Sequence, residues 1–181
     1  SGIKRPADLK GKIVGAYGVP SDAPLLETML KADGLKLEEV DLVNVGFDLV
    51  PALISKKVDA IIGAYWVAES ISAENQGFPV NVIKMEDWGV PDFYEIVLVT
   101  SQKNTSESKK LVQSFITAIS KGYQDALDDP QEAINVLSRL VPETDEDTER
   151  QGITLLTPYW LDERKIFGWQ SAEKWESFAK W

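Results

Sequence analysis

The 181 residues read as an α/β domain with a helical C-terminal extension, and three observations carry that reading. Apolar strand-like runs alternate with helix-like segments over residues 12–100. One of those runs, Val-Asp-Ala-Ile-Ile-Gly-Ala at 58–64, is almost continuously apolar, as strands of a parallel sheet covered on both faces are. From residue 106 onward the apolar residues recur at helical spacing instead, so the strand–helix alternation gives way to consecutive helices.

Taken in order, residues 1–12 form a polar lead-in with a turn at Gly11. Residues 12–17 predict a buried strand, and residues 18–24 the loop after it. A helix is expected over 23–32, capped by Ser21 or Asp22 and stopped at Gly34, because short polar side chains satisfy the first helical N–H groups and glycine tolerates the left-handed exit. A second strand spans 40–45, a short helix 49–55 and a third strand 58–64. Residues 68–76 predict a helix ending at Gly77, residues 80–84 a fourth strand, residues 87–95 a loop and residues 96–100 a fifth strand. Long helices follow over 106–127 and 130–140, with a third over 143–156 capped near Thr144 or Asp145. A tryptophan-rich tail at 159–181 completes the chain, and Trp160, Trp169, Trp175 and Trp181 read as packing anchors.

Composition narrows the chemistry. There is no cysteine and no histidine, which removes disulfides, thiolate nucleophiles, imidazole bases and most zinc or iron sites. A formal charge of −10 is unsuited to a nucleic-acid surface, which needs a basic face for phosphates. No apolar run approaches the roughly 20 residues of a membrane span, and Gly-x-x-x-x-Gly-Lys is absent.

Ligands of open α/β sheets bind beyond the carboxyl ends of the strands, and three loops are expected there. In the first, Tyr17 precedes Gly18, which lets the backbone approach a ligand, while Ser21 and Asp22 offer oxygen acceptors beside helix-start N–H groups. A plain turn with a helix cap is the competing reading. In the second, Tyr65 and Trp66 leave the third strand side by side, and neighbours along a strand point oppositely, so one of them faces a cleft or a partner. In the third, residues 87–95 place Trp88, Asp92, Tyr94 and Glu95 around the turn residues Gly89 and Pro91; aromatic faces suit flat ligands and carboxylates accept from amine groups. Asp59 reads as a hydrogen bonder at strand entry rather than a catalytic acid.

Several strings then combine. Pro6-Ala-Asp-Leu-Lys-Gly-Lys-Ile-Val-Gly15, Leu49-Val-Pro-Ala-Leu-Ile-Ser-Lys-Lys-Val-Asp-Ala-Ile-Ile-Gly63 and Ala126-Leu-Asp-Asp-Pro-Gln-Glu-Ala133 resemble the periplasmic solute-binding proteins of ABC importers. With Gly18-Val-Pro-Ser21, Ala64-Tyr-Trp66, Trp88-Gly-Val-Pro-Asp-Phe-Tyr-Glu95 and Phe167-Gly-Trp169, the chain is similar to the branch that binds formylaminopyrimidine-type precursors of thiamine. That branch is related to the pyrimidine synthases of thiamine biosynthesis.

The resemblance implies one lobe of a type II periplasmic-binding-protein fold, a three-layer αβα sheet over residues 1–129. Residues 130–181 would be helices that pack on a first lobe not contained in this chain. It implies a carrier rather than an enzyme, with no cofactor. The ligand-binding set would be Tyr17, Gly18, Ser21, Tyr65, Trp66, Trp88, Asp92, Tyr94 and Glu95, holding an aminopyrimidine-like aromatic molecule. It further implies an ABC-transporter permease as partner and an extracytoplasmic location, periplasmic or held to the membrane through a lipid anchor outside this chain. The synthases are the competing reading, as is a ligand-sensing lobe of a regulatory protein. The synthase branch carries a cysteine-rich loop where residues 87–95 have none, which favours binding.

Overall fold

The computed structural model describes residues 2–161, 164 and 166–181, so parts of the lead-in and tail at 1, 162, 163 and 165 lie outside it. The chain divides into two units, Ser1–Asp92 with Ser177–Trp181, and Phe93–Glu176.

The first unit holds a parallel three-stranded sheet. Strands β1 (Ile13–Ala16), β2 (Asp41–Asn44) and β3 (Ala60–Ile61) lie in the order β2-β1-β3. Helix α1 (Asp22–Ala32) connects β1 to β2, α2 (Leu49–Ile54) connects β2 to β3, and α3 (Glu69–Asn75) follows β3. Ile13 pairs with Asp41 and Ala16 with Asn44, while Val14 pairs with Ala60. Asp59 acts at strand entry as expected: its Oδ2 accepts the Ile13 N–H at 3.0 Å, and Lys12 Nζ stands 3.7 Å from Oδ1.

The core forms where the apolar face of α1 meets the sheet. Leu26 and Leu30, one helical turn apart, are fully buried together with Val14, Leu49 and Pro6. Burying each leucine contributes about 1.5–3 kcal/mol. Gly15 is required by this packing, since a Cβ there would meet Val45 and Val58 methyls at 3.2 Å.

The predicted fourth and fifth strands are not strands. Residues 80–84 run without a ladder partner into a 3-10 turn, Met85–Trp88, and Asn81 spends its side-chain amide on the Ile3 carbonyl at 2.9 Å. Residues 96–100 are likewise unpaired, with Ile96, Leu98 and Val99 exposed. A β-branched run marks a segment that fits a sheet, but a strand exists only where a neighbouring backbone takes its hydrogen bonds. The third strand is shorter than its apolar run for the same reason: among the described residues, β3 pairs with β1 alone. A cavity of about 610 Å³ lies alongside β3, walled by Val14, Leu26, Ile62, Trp66, Val80 and Val82.

In the second unit, the helix expected over 106–127 is two helices, α4 (Gln102–Glu107) and α5 (Lys109–Asp128), parted at Ser108. The sequence reading missed α4, whose start is set by Ser101 accepting the Asn104 N–H at 3.2 Å. Helix α6 (Pro130–Leu140) stands as predicted, with Asp129 accepting the Glu132 N–H at 2.9 Å. Helix α7 (Glu146–Leu156) begins at the second of its two expected caps, Asp145, which accepts from Asp147 N, Thr148 N and the Thr148 hydroxyl. Those bonds, the hydroxyl's first, hold the Asp145 carboxyl below its ordinary pKa.

Of the tail tryptophans, Trp160 and Trp169 are half-buried, while Trp175 and Trp181 remain exposed. Trp160 meets Tyr123 edge-on at 4.9 Å, and Phe167 stacks on the same tyrosine at 4.0 Å. Trp175 lies 5.6 Å from Tyr94. A last helix, α8 (Ala172–Lys180), ends the chain. No helix among the described residues is long and apolar enough to cross a membrane.

Candidate functional site

Because all three strands run in parallel, their carboxyl ends share one edge of the sheet. The loops 17–21, 45–48 and 62–68 therefore emerge side by side, and β1, being central, puts Tyr17 between the other two. This is the topological position where such sheets bind ligands.

Four aromatics stand on these loops: Tyr17, Phe47, Tyr65 and Trp66. The Tyr17 ring lies 5.6 Å from that of Phe47, and Phe47 is 95% exposed, so an apolar face stands in solvent at this edge. Trp66 is half-buried, with Lys84 Nζ 4.8 Å from its ring centroid. The Tyr17 hydroxyl donates to Glu69 Oε1 at 2.8 Å, and the Tyr65 N–H donates to Glu69 Oε2 at 2.9 Å. One carboxylate at the start of α3 thus fastens the first loop to the third.

Gly18 is needed on two grounds. Its φ is +84°, and a Cβ would run into the Asn44 side-chain amide. Gly63, at φ +83°, leaves room for the Tyr17 ring, which a Cβ there would meet at 3.2 Å. Ser21 is exposed and caps nothing with its side chain. Asp22 takes the structural role instead: it is 4% exposed, and its Oδ2 accepts the Gly18 N–H at 2.8 Å and the Val19 N–H at 2.9 Å.

Of the nine residues singled out from sequence, the structure brings Tyr17, Gly18, Ser21, Tyr65 and Trp66 to this edge. Trp88 lies elsewhere. Its ring centroid is 5.7 Å from the Arg5 guanidinium, Arg5 pairs with Asp33 just past α1, and neighbouring Gly89 approaches Thr28 and Ala32. Trp88 is therefore beside the carboxyl end of α1, about 16 Å along an 11-residue helix from Asp22. Asp92 is exposed at the end of the first unit. Tyr94 and Glu95 belong to the second unit, where Tyr94 Oη accepts the Ser171 N–H at 2.8 Å and Lys174 Nζ lies 4.8 Å from its ring centroid; Glu95 is exposed.

Sequence reasoning missed Glu69 and Phe47, and offered Asp22 as a loop acceptor or a helix cap without the two amides that it holds. Glu69 had a signal: an acid in the first turn of a helix, four residues past Tyr65. Phe47 had none, since a lone aromatic between Gly46 and Asp48 is unremarkable without its neighbours. Among the described residues no group of acids is arranged to hold a metal ion.

Comparison with known proteins agrees with this architecture. The family model described as "NMT1/THI5 like" matches residues 1–133. The formylaminopyrimidine-binding protein of Halalkalibacterium halodurans is 33% identical over 180 residues, covering 97% of this chain and 54% of that protein. A Haemophilus influenzae protein named for thiamine biosynthesis is 35% identical over 139 residues, covering 74% of this chain and 42% of that one. The chain thus spans about half the length of the curated relatives it matches. Among solved structures, the alkanesulfonate-binding protein SsuA from Xanthomonas axonopodis pv. citri, bound to MOPS, superimposes with a TM-score of 0.63 at 19% identity, covering 85% of this chain and 52% of that one. The fold is that of one lobe of a type II periplasmic-binding protein.

Proposed function

The chain belongs to the NMT1/THI5-like family, and on that premise we propose that it is part of a solute-binding protein that takes up a thiamine pyrimidine precursor of the formylaminopyrimidine type. The observation that carries the reading is the aromatic edge itself. Tyr17, Phe47, Tyr65 and Trp66 stand on adjacent loops at the carboxyl end of a parallel sheet, and flat heterocycles bind by stacking on such faces. Gly18 and Ser21 give the ligand's polar substituents a close backbone and a hydroxyl. The 33% identity with a formylaminopyrimidine-binding protein over nearly the whole chain supports the same ligand class.

The protein works as a carrier and not as an enzyme, delivering its ligand to an ABC-importer permease outside the cytoplasm. The name of the Haemophilus influenzae relative favours a second reading, a pyrimidine synthase. The cysteine-free loop at 87–95 weighs against it.

Calorimetric titration of the full-length protein with formylaminopyrimidine, thiamine and riboflavin tests the proposal. A dissociation constant below about 100 μM for formylaminopyrimidine is expected, because a specific carrier must exceed the ~4 kcal/mol of a millimolar contact. Failure of all three to bind would overturn the reading, and pyrimidine formed from pyridoxal phosphate would replace it with the synthase.

A further inference from the structure

The N-terminus of a helix preceded by free loop amides is a ready place for an anion, since N–H groups and the helix dipole both favour negative charge. The first loop has these parts: α1 is 11 residues long, and the Gly18 and Val19 amides turn toward its start. The place is already taken. Asp22 Oδ2 accepts both amides, at 2.8 and 2.9 Å, and the side chain is buried with its residue only 4% exposed.

The other carboxylate oxygen is unspent. Among the described residues no donor reaches Asp22 Oδ1, which lies 3.6 Å from where a Cβ on Gly63 would stand. It therefore faces the loop that carries Tyr65 and Trp66. The Glu69 carboxylate is held by Tyr17 Oη and by the N–H of Tyr65 on that same loop. No lysine or arginine among the described residues pairs with either acid. Both carboxylates thus stand on the loops of this edge without a salt-bridge partner among the described residues, the nearby Lys84 lying instead over the Trp66 ring.

We infer that Asp22 is a specificity-determining residue, shutting the loop to anionic groups through Oδ2 and accepting an N–H of a neutral or cationic ligand through Oδ1. The ligand class is thereby an amine-bearing heterocycle without a phosphate or sulfonate at this end. This inference rests on the proposal that the aromatic edge receives the ligand. The fold neighbour, by contrast, is an alkanesulfonate-binding protein.

Two variants of the full-length protein test it. In Asp22→Asn the side-chain oxygen still accepts both amides, but an NH2 replaces Oδ1 and presents donors to the ligand's donors. Formylaminopyrimidine affinity should fall about tenfold or more, as for loss of a charge-assisted hydrogen bond. In Asp22→Gly the amides are released, and inorganic sulfate or MOPS, inert toward the wild type, should bind measurably by calorimetry. Unchanged pyrimidine affinity in Asp22→Asn, or sulfate binding by the wild type equal to that of Asp22→Gly, overturns the inference. If circular dichroism shows Asp22→Gly unfolded, Asp22→Asn alone decides. A wild type that ignores formylaminopyrimidine sinks the proposed function, while the sulfate comparison still judges Asp22.

Discussion

Tyr17 and Glu69, 52 positions apart, meet in a 2.8 Å hydrogen bond that ties the loop after β1 to the start of α3. The same carboxylate takes the Tyr65 N–H through its second oxygen, so one side chain sets the spacing of two aromatic-bearing loops. A binding surface gains affinity when its anchors are held before the ligand arrives, because the ordering cost is then not charged to binding.

Glu69→Ala should accordingly weaken formylaminopyrimidine binding about tenfold, from two hydrogen bonds lost at about 0.5–1.5 kcal/mol each. Tyr17→Phe, which removes one of them and keeps the ring, should weaken it about threefold. Calorimetry on both variants checks the order; a larger loss in Tyr17→Phe would mean that the hydroxyl itself meets the ligand.

Trp66 and Trp88 should part company. Trp66→Ala removes a ring from the ligand-facing edge and should cost about tenfold or more in affinity, with aromatic contacts worth about 0.5–1.5 kcal/mol beyond their buried area. Trp88→Ala acts beside Arg5 at the far end of α1, so its effect should appear in the urea midpoint and leave affinity within about twofold. Measuring both quantities on both variants separates the two roles.

Gly18 and Gly34 offer a paired test of local strain. Both have φ above +80°, but a Cβ overlaps the Asn44 amide at Gly18 and meets nothing at Gly34. Gly34→Ala should cost about 1 kcal/mol, the backbone penalty alone. Gly18→Ala should cost about 2–3 kcal/mol as the steric displacement adds to it. Equilibrium urea unfolding gives both values.

Acid stability should depend on Asp33. The Arg5 guanidinium, hydrogen-bonded to it, together with the Ala7 N–H, holds this carboxyl below the ordinary aspartate value, against desolvation that pushes the other way. A depressed native pKa contributes stability that is fully present above the unfolded value near ~3.9 and is lost as pH falls through the native one. Arg5→Gln removes the cation and should shift acid unfolding to higher pH. Tryptophan fluorescence across a pH series at fixed urea follows the midpoint, with Trp88 next to Arg5 as reporter.

Much of the architecture was legible because its causes are local. The cap Asp145, the buried face of α1 and the turn at Gly18 follow from hydrogen-bonding capacity, helical spacing and allowed dihedral angles within a few residues. The approach of Tyr17, Tyr65 and Trp66 was legible at one remove, since parallel strands carry their following loops to one edge. Three features needed the tertiary structure. Residues 80–84 and 96–100 have the composition of strands, yet no neighbouring backbone completes their ladders. Trp88 lies by Arg5 because the turn at Met85–Trp88 packs along α1, a fact its aromatic and acidic neighbours do not encode. Asp22 and Glu69 acquire meaning only from what faces them: Asp22 takes two amides from the turn before it but lies with Oδ1 close to Gly63, and Glu69 takes the Tyr17 hydroxyl from 52 positions away.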